Sequence, residues 1–205
     1  MRYLTITAII CLALTTQSAW GLEGLPSLNG PLTLVVQYET QPPAESLAEM
    51  RRELNTLLQK SSIQVEWRLR EEMKPGTQVS DLVLVKFRGS CRMQVEPALL
   101  DERGPLAFTH TTDGEVLPFS EVLCDKVRVA ARSAMHGGQL AQGNRLMGRA
   151  MARVLAHEIY HIAGNTKGHT KEGVSRRALT GAQLIAEHMD FDQLGEHALH
   201  RKEAR

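Results

Sequence analysis

The segment "HEIYHIAGNTKGH", His157 to His169, contains the residues whose types and spacing best suit chemistry. His157 and His161 are four residues apart, which on a helix places both imidazoles on one face, one turn apart. Two imidazoles with this spacing can share one tetrahedral zinc ion at Zn–N distances of about 2.0–2.1 Å. Glu158 projects about 100° further around the helix, from where its carboxylate can reach a water molecule on that ion.

A catalytic zinc site usually has three protein ligands and an open fourth position, so a further ligand is needed. His169 is the candidate, because Gly164 can end the helix and a short loop can then return this histidine to the ion. The opposing interpretation is that all three histidines are exposed to solvent and incidental.

This segment resembles the zincin metallopeptidases, and among them the metzincins, whose pattern is H-E-x-x-H-x-x-G-x-x-H. Four positions match the pattern in register: His157, Glu158, His161 and Gly164. The third histidine of the pattern would fall on Lys167, whereas His169 comes two residues later, and no Met-turn is recognisable. The resemblance implies a zincin-like domain, in which a twisted mixed sheet with an antiparallel edge strand lies against two long helices.

A second branch of the zincins, the gluzincins, takes its third ligand from a glutamate on a later helix, often with an aspartate a few residues further on. Glu187 with Asp190 fits that description in this chain. The resemblance therefore leaves two candidates for the third zinc ligand, of which His169 is preferred to Glu187. Glu172 ranks third.

The activity that the resemblance implies is zinc-dependent hydrolysis of peptide bonds. Glu158 would act as general base toward a zinc-activated water molecule, and a peptide or protein substrate would lie along the edge strand. The segment "GPLAFTH", Gly104 to His110, stands in the matching place, with His110 at its rim. One alternative is a catalytically inactive zinc-binding protein of the same fold that acts as a binding module. Another is a structural domain whose histidines are incidental.

Hydrophobic periodicity predicts the elements that must position these residues. Residues 44–61 and 145–163 have helical spacing, and the second range is the expected active-site helix. The order of elements favours one α+β domain, with a single sheet and two long helices packed on one face. The other predicted elements are strands over 32–39, 63–70, 81–91, 104–110 and 120–129 and a last helix over 181–194.

The first 21 residues are typical of a secretory signal peptide. A positive start precedes an uncharged apolar run, and Ala19 and Gly21 are small residues at the positions that favour cleavage before Leu22. The run is short for a membrane span of about 20 apolar residues. Residues 22–205 are therefore expected to form the mature domain, secreted or periplasmic and without stable membrane insertion.

The charge of the mature chain excludes some classes of partner. Removal of Arg2 with the signal peptide leaves 23 basic residues against 23 acidic ones, so the formal charge is 0. Nucleic acids and anionic membranes are bound through basic faces, and neither is expected as the main partner.

Two cysteines remain after the predicted cleavage, Cys91 and Cys124. An even pair in an exported chain favours a disulfide over two buried thiols. A bridge that closes a loop of this length would contribute roughly 3–4 kcal/mol to stability in the chain-entropy model.

Overall fold

The computed structural model describes residues 31–79, 81–94 and 104–200 of the chain, and the predicted signal peptide lies outside the described residues. The described part is an α+β fold, which confirms the predicted class. Two short 3₁₀ helices, Arg70–Glu72 and Gly137–Gln142, accompany the main elements. The main elements are β1 (Leu32–Thr40), α1 (Ala44–Gln59), β2 (Val65–Leu69), β3 (Leu82–Ser90), β4 (Ala107–Thr112), β5 (Glu115–Leu123), α2 (Cys124–Ser133), α3 (Gly143–Ala163), α4 (Gly181–Ile185) and α5 (Gln193–His200).

The five strands form one mixed sheet in the order β2-β1-β3-β5-β4. β1 pairs in parallel with β2 and β3, and β3 pairs in parallel with β5, while β4 runs antiparallel to β5 at the edge. The β4–β5 hairpin turns at Asp113 and Gly114, whose φ angles of 48° and 90° are both positive. That conformation is the one that two-residue hairpin loops prefer, and the Asp-Gly pair predicts it.

α1 and α3 are the two long helices that the periodicity predicts, and they pack closely against each other. The two helices approach each other closely at Gly148, where a Cβ atom would lie 2.3 Å from the carbonyl oxygen of Ser46. The Ser46 hydroxyl in turn donates a hydrogen bond of 2.8 Å to the carbonyl oxygen of Asn144. α3 also lies over β4 and β5, so the predicted active-site helix runs beside the edge of the sheet. In the described part of the chain, no helix is both long and apolar enough to cross a bilayer.

Two arginine–glutamate pairs lie buried in the contact between α1 and α3. The guanidinium of Arg149 donates to Glu49 at 3.1 and 3.2 Å, and Arg153 Nε donates to Glu53 at 2.9 Å. Arg153 has an exposed fraction of 0%, so its charge is compensated entirely inside the protein. Its Nη1 also donates to the carbonyl oxygen of Gln183 at 2.6 Å, which ties the C-terminal part of the chain to α3.

The prediction of a single last helix over residues 181–194 is wrong. α4 ends at Ile185, and α5 begins only at Gln193. The carbonyl oxygens of Ile185 and Ala186 accept hydrogen bonds from Arg149 Nη1 at 3.2 and 3.0 Å. Where α4 ends, the backbone carbonyl groups therefore find their hydrogen-bond donors on α3 rather than in further helical turns.

The prediction of a strand over residues 120–129 is also wrong in its second half. β5 runs from Glu115 to Leu123, and α2 begins at the next residue. The cause lies in the pattern of burial, which follows helical rather than strand spacing from that point. The buried residues of α2 are Cys124, Val127, Arg128 and Ala131.

The predicted disulfide between Cys91 and Cys124 is confirmed. It joins the residue that follows β3 to the first residue of α2, with a Cα–Cα distance of 4.8 Å and a sequence separation of 33 residues. Both cysteines are fully buried. The bridge therefore fixes the start of α2 against the sheet.

Candidate metal centre

The two helix histidines lie on one face of α3, near its C-terminal end. The predicted spacing places His157 and His161 one turn apart, and their ring centroids are 4.7 Å from each other. The two Nε2 atoms are 3.0 Å apart. Both side chains are half-buried and line a cavity beside the sheet edge.

Backbone carbonyls fix the orientation of both rings. His157 Nδ1 lies 2.9 Å from the carbonyl oxygen of Val174, and His161 Nδ1 lies 2.8 Å from that of Thr166. A carbonyl oxygen can only accept a hydrogen bond, so Nδ1 carries the proton in each ring. In the neutral imidazoles, each Nε2 is then an unprotonated nitrogen with a free lone pair. Metal-binding histidines are commonly held by hydrogen bonds of this kind.

Two lone pairs that face each other at 3.0 Å repel unless a positive charge lies between them. A shared proton is disfavoured, because burial lowers the pKa of His157 to about 4 and also lowers the pKa of His161. Two nitrogen ligands of a tetrahedral zinc ion are separated by about 3.4 Å, given the usual Zn–N distances. The donor pair is therefore suited to a metal ion.

His169 completes the group from the loop that follows α3. The helix ends at Ala163, and Asn165, with φ 43°, turns the chain away from the helix axis. The ring centroid of His169 lies 5.2 Å from that of His157 and 4.8 Å from that of His161. The potential ligand atoms of the three residues all lie within 4.8 Å of one another, so the three histidines could bind one metal ion. Burial and the nearby positive charge of Arg177 lower the pKa of His169, which favours the neutral ligand form.

Hydrogen bonds hold the loop that carries this third histidine. Thr170 N donates to the carbonyl oxygen of Ser175 at 3.1 Å, and the two hydroxyl groups are 2.8 Å apart. Val174 N donates to the carbonyl oxygen of Asp190 at 2.9 Å, which anchors the end of the loop. The chain thus folds back after His169 and brings the carbonyl oxygen of Val174 within hydrogen-bonding distance of His157 Nδ1.

Glu158 lies beside the histidines and lines the same cavity, although its exposed fraction is only 4%. Thr109, on β4, donates a hydrogen bond of 2.7 Å from its hydroxyl to Glu158 Oε2. The hydroxyl of Thr109 also lies 2.7 Å from that of the fully buried Ser120. Burial raises the pKa of Glu158 to about 7, and the hydrogen bond from Thr109 acts in the opposite direction.

The cavity has a volume of about 940 Å³ and lies between β4 and residues 176–179, with α3 as its floor. Ala107, Phe108 and Thr109 all line it. Side chains of successive strand residues point to opposite faces, so their joint presence shows that the edge of β4, rather than one face, borders the cavity. Neither Thr109 nor the two carbonyl contacts was identified from the sequence, although Thr109 lies within the predicted edge strand.

The other candidates from the sequence lie apart from this group. Glu187 is exposed, and its neighbour Asp190 forms an ion pair of 2.7 Å with Lys60. Glu172 is exposed, and its carbonyl oxygen accepts the hydroxyl of Thr170. His110 stacks on Phe119 with a centroid distance of 4.4 Å and does not line the cavity. The structure thus brings His169 to the helix pair and leaves Glu187 and Glu172 away from it.

Comparison of the chain with protein-family models, curated proteins and solved structures finds no match. The zincin resemblance is therefore one of the segment "HEIYHIAGNTKGH" alone, and the site is described by its own geometry. That geometry consists of three imidazoles with neutral donor nitrogens, a buried carboxylate beside them and a cavity along a strand edge.

Proposed function

We propose that this protein is an exported zinc-dependent peptidase in which His157, His161 and His169 hold the metal and Glu158 is the general base. The observation that carries the proposal is the close pair of unprotonated Nε2 atoms, 3.0 Å apart, beside a buried carboxylate. A structural cluster of histidines would have no need of this carboxylate or of an adjoining cavity.

Zinc is the metal that this ligand set suits best. Imidazole nitrogen is a good ligand for zinc and also for copper, iron and nickel, and sites with three histidines and one open side are typical of catalytic zinc. When bound, the zinc ion would polarise the substrate carbonyl and lower the pKa of a water molecule. The half-buried placement of His157 and His161 leaves them in contact with the cavity, so the ion can be approached by substrate.

Glu158 would move the protons of the reaction. Its carboxylate would accept a proton from the attacking water molecule and deliver it to the leaving amine. A pKa of about 7 suits this exchange, because acceptance and release are then both feasible near neutral pH. Thr109, whose hydroxyl donates to Oε2, would keep the carboxylate turned toward the cavity and leave the other oxygen for the proton.

The strand edge of β4 would bind the substrate. Within the described residues, β4 pairs on one side with β5, and its edge borders the cavity. An extended peptide could add to such an edge through backbone hydrogen bonds, with its scissile bond next to the histidines. A peptide substrate fits this arrangement better than a small metabolite, because the cavity follows the strand.

The disulfide and the N-terminal sequence support export. A buried disulfide is typical of proteins from oxidising compartments such as the periplasm or the extracellular space. The residues that resemble a signal peptide precede the described part of the chain, and their removal would leave the domain that contains the site.

Glu158→Gln tests the proposed role of the carboxylate. The variant should bind zinc stoichiometrically, because the three histidines remain, and kcat/KM for peptides should fall by about 10²–10⁴-fold. Cleavage can be measured on a diverse library of quenched fluorescent peptides, and zinc by mass spectrometry of the purified protein. Glu172→Gln, an exposed glutamate of the histidine loop, is the matched control and should cleave like the wild type.

Two outcomes would contradict the proposal. Unchanged cleavage by Glu158→Gln would remove this residue from the mechanism. A wild-type protein with stoichiometric zinc that cleaves no peptide of the library would instead be a zinc-binding module of the same architecture.

A further inference from the structure

Three basic side chains line the cavity in addition to the residues of the metal centre: Lys167, Arg176 and Arg177. Lys167 and Arg177 are exposed, and Arg176 is half-buried. Within residues 31–79, 81–94 and 104–200, none of the three forms an ion pair with an acidic side chain. The described residues that line the cavity include one carboxylate, that of Glu158.

This excess of positive charge is local. The mature chain has a balanced formal charge, and the two buried arginines of α3, Arg149 and Arg153, are both paired with glutamates of α1. Like charges on the walls of a cleft focus the electrostatic potential and attract ligands of the opposite sign. Arg177 and His169 line the same cavity, so the positive region adjoins the metal centre.

We propose that the cavity selects peptides that place a carboxylate next to the metal centre, where Arg177 and Lys167 bind it. The carboxylate belongs either to an Asp or Glu side chain or to the C terminus of the peptide. Arginine and lysine both form charge-assisted hydrogen bonds with such groups, and the planar guanidinium can do so through two parallel bonds. This inference rests on the proposed peptidase function and names the substrate class of the same site.

The character of the cavity changes along α3, which gives the preference a direction. Val154, one turn before His157 on α3, gives the cavity an apolar lining residue on that side of the histidines. Lys167 follows the end of α3, past the histidines. A substrate that matches both parts has an apolar side chain on one side of the scissile bond and the carboxylate on the other.

Equilibrium binding of labelled peptides tests the inference without relying on catalysis. The protein is the full mature chain with Glu158→Gln, loaded with zinc, and the readout is fluorescence anisotropy. The probes are fluorescein-labelled peptides of Ala, Leu and Ser that carry Glu or its neutral isostere Gln, each with a free or an amidated C terminus. We expect the best carboxylate peptide to bind about fivefold more tightly than its neutral counterpart, and the difference to shrink as salt is raised.

Charge-removing variants identify the groups responsible. The double variant Lys167→Gln with Arg177→Gln should lose the preference for the carboxylate peptide, while Lys171→Gln should retain it. Lys171 is the matched control, because it is an exposed lysine of the same loop that does not line the cavity. A carboxylate can also bind zinc directly, so the comparison is repeated on the metal-free chain, where the preference should persist.

The outcomes separate this inference from the proposed function. Equal binding of acidic and neutral peptides, or a preference that the double variant leaves intact, overturns the inference even if the wild type cleaves peptides. A preference for carboxylates that depends on Lys167 and Arg177 supports it even if the wild type cleaves none, and in that case the peptidase proposal fails alone. The pairs with free and amidated C termini decide which carboxylate is recognised.

Discussion

The two halves of α3 use similar side-chain spacing for opposite purposes. Arg149, Arg153, His157 and His161 follow one another at intervals of four residues along the helix. All four donate a hydrogen bond to a backbone carbonyl of the chain that follows α3. The arginines then satisfy their charge on buried glutamates of α1, whereas each histidine keeps one nitrogen free toward the cavity.

The difference shows how one helix can be both a structural support and a reactive surface. In the arginine half, each charge has a partner within the protein, so that region gains a defined arrangement and offers nothing to a ligand. In the histidine half, hydrogen bonds to backbone carbonyls likewise fix the orientation of the side chains. The Nε2 lone pairs, however, have no hydrogen-bond donor from the described part of the chain facing them. Changes in the first half should therefore alter stability, and changes in the second half should alter metal binding or catalysis.

Arg153→Met should have the largest effect on stability. The substitution removes the 2.8 Å ion pair with the buried Glu53 and leaves that carboxylate only the longer contact of 3.4 Å with the exposed Arg52. Breaking a buried ion pair typically costs 3–5 kcal/mol. Chemical denaturation of the variant, followed by circular dichroism, measures this loss. The folded fraction should still bind zinc stoichiometrically, because the histidines are unchanged.

The double variant Arg153→Met with Glu53→Leu is the control for this prediction. It removes both charges together, and we expect it to recover most of the lost stability. A single variant as stable as the wild type would show that the buried pair does not hold the two helices together.

His161→Gln should weaken zinc binding strongly and change stability little. Loss of one imidazole should weaken zinc affinity by more than about 100-fold, since changes to groups that merely orient a ligand already cost 10–100-fold. The unfolding free energy of the metal-free protein should change by less than about 1 kcal/mol, because the side chain is only half-buried. Competition with a chromogenic chelator gives the affinity, and retention of wild-type affinity would exclude His161 as a ligand.

Thr109→Val should have the smallest of these effects, and it should change catalysis without changing zinc affinity. Loss of the hydrogen bond to Glu158 should lower kcat/KM for peptides by about tenfold. Burial raises the pKa of Glu158, and the hydroxyl opposes this, so its loss raises the pKa further. Fewer molecules then have an ionised carboxylate at neutral pH, and the acidic limb of the pH profile should move to higher pH.

Thr109→Ser is the matched control, because it keeps the hydroxyl. It should retain the wild-type kcat/KM, and the acidic limb of its pH profile should not move. If the valine variant is slower but its pH profile matches that of the wild type, Thr109 has only a packing role.

The sequence predicts much of this fold where packing follows a simple period. The apolar spacing of α1 and α3 and the Asp113-Gly114 turn are local signals, and the structure agrees with them. The strand predicted over residues 120–129 extends into α2 because Val127 and Val129 favour strands, whereas the structure buries Cys124 and Val127 at helical spacing. The break after α4 could not be predicted, since it depends on carbonyl contacts with a distant arginine.

The candidate site also has a part that the sequence predicts and a part that it does not. The positions of His157, Glu158 and His161 follow from the helix period, and they are the part that a pattern can indicate. The groups that orient the two imidazoles are the backbone carbonyls of Thr166 and Val174, which leave no signature in the sequence because every residue has one. Nor does the sequence show how the loop folds back, and this decides whether His169 or Glu187 lies near the pair.

The placement of β4 also bears on self-association. An uncovered edge strand can pair with the edge of another molecule and start aggregation. Here the edge borders a cavity whose opposite wall is formed by residues 176–179. Such a cleft can admit a single extended chain more readily than the edge of a second folded sheet. The same geometry would restrict access to loops, tails and unfolded segments, so a folded protein would need to open locally before it could enter.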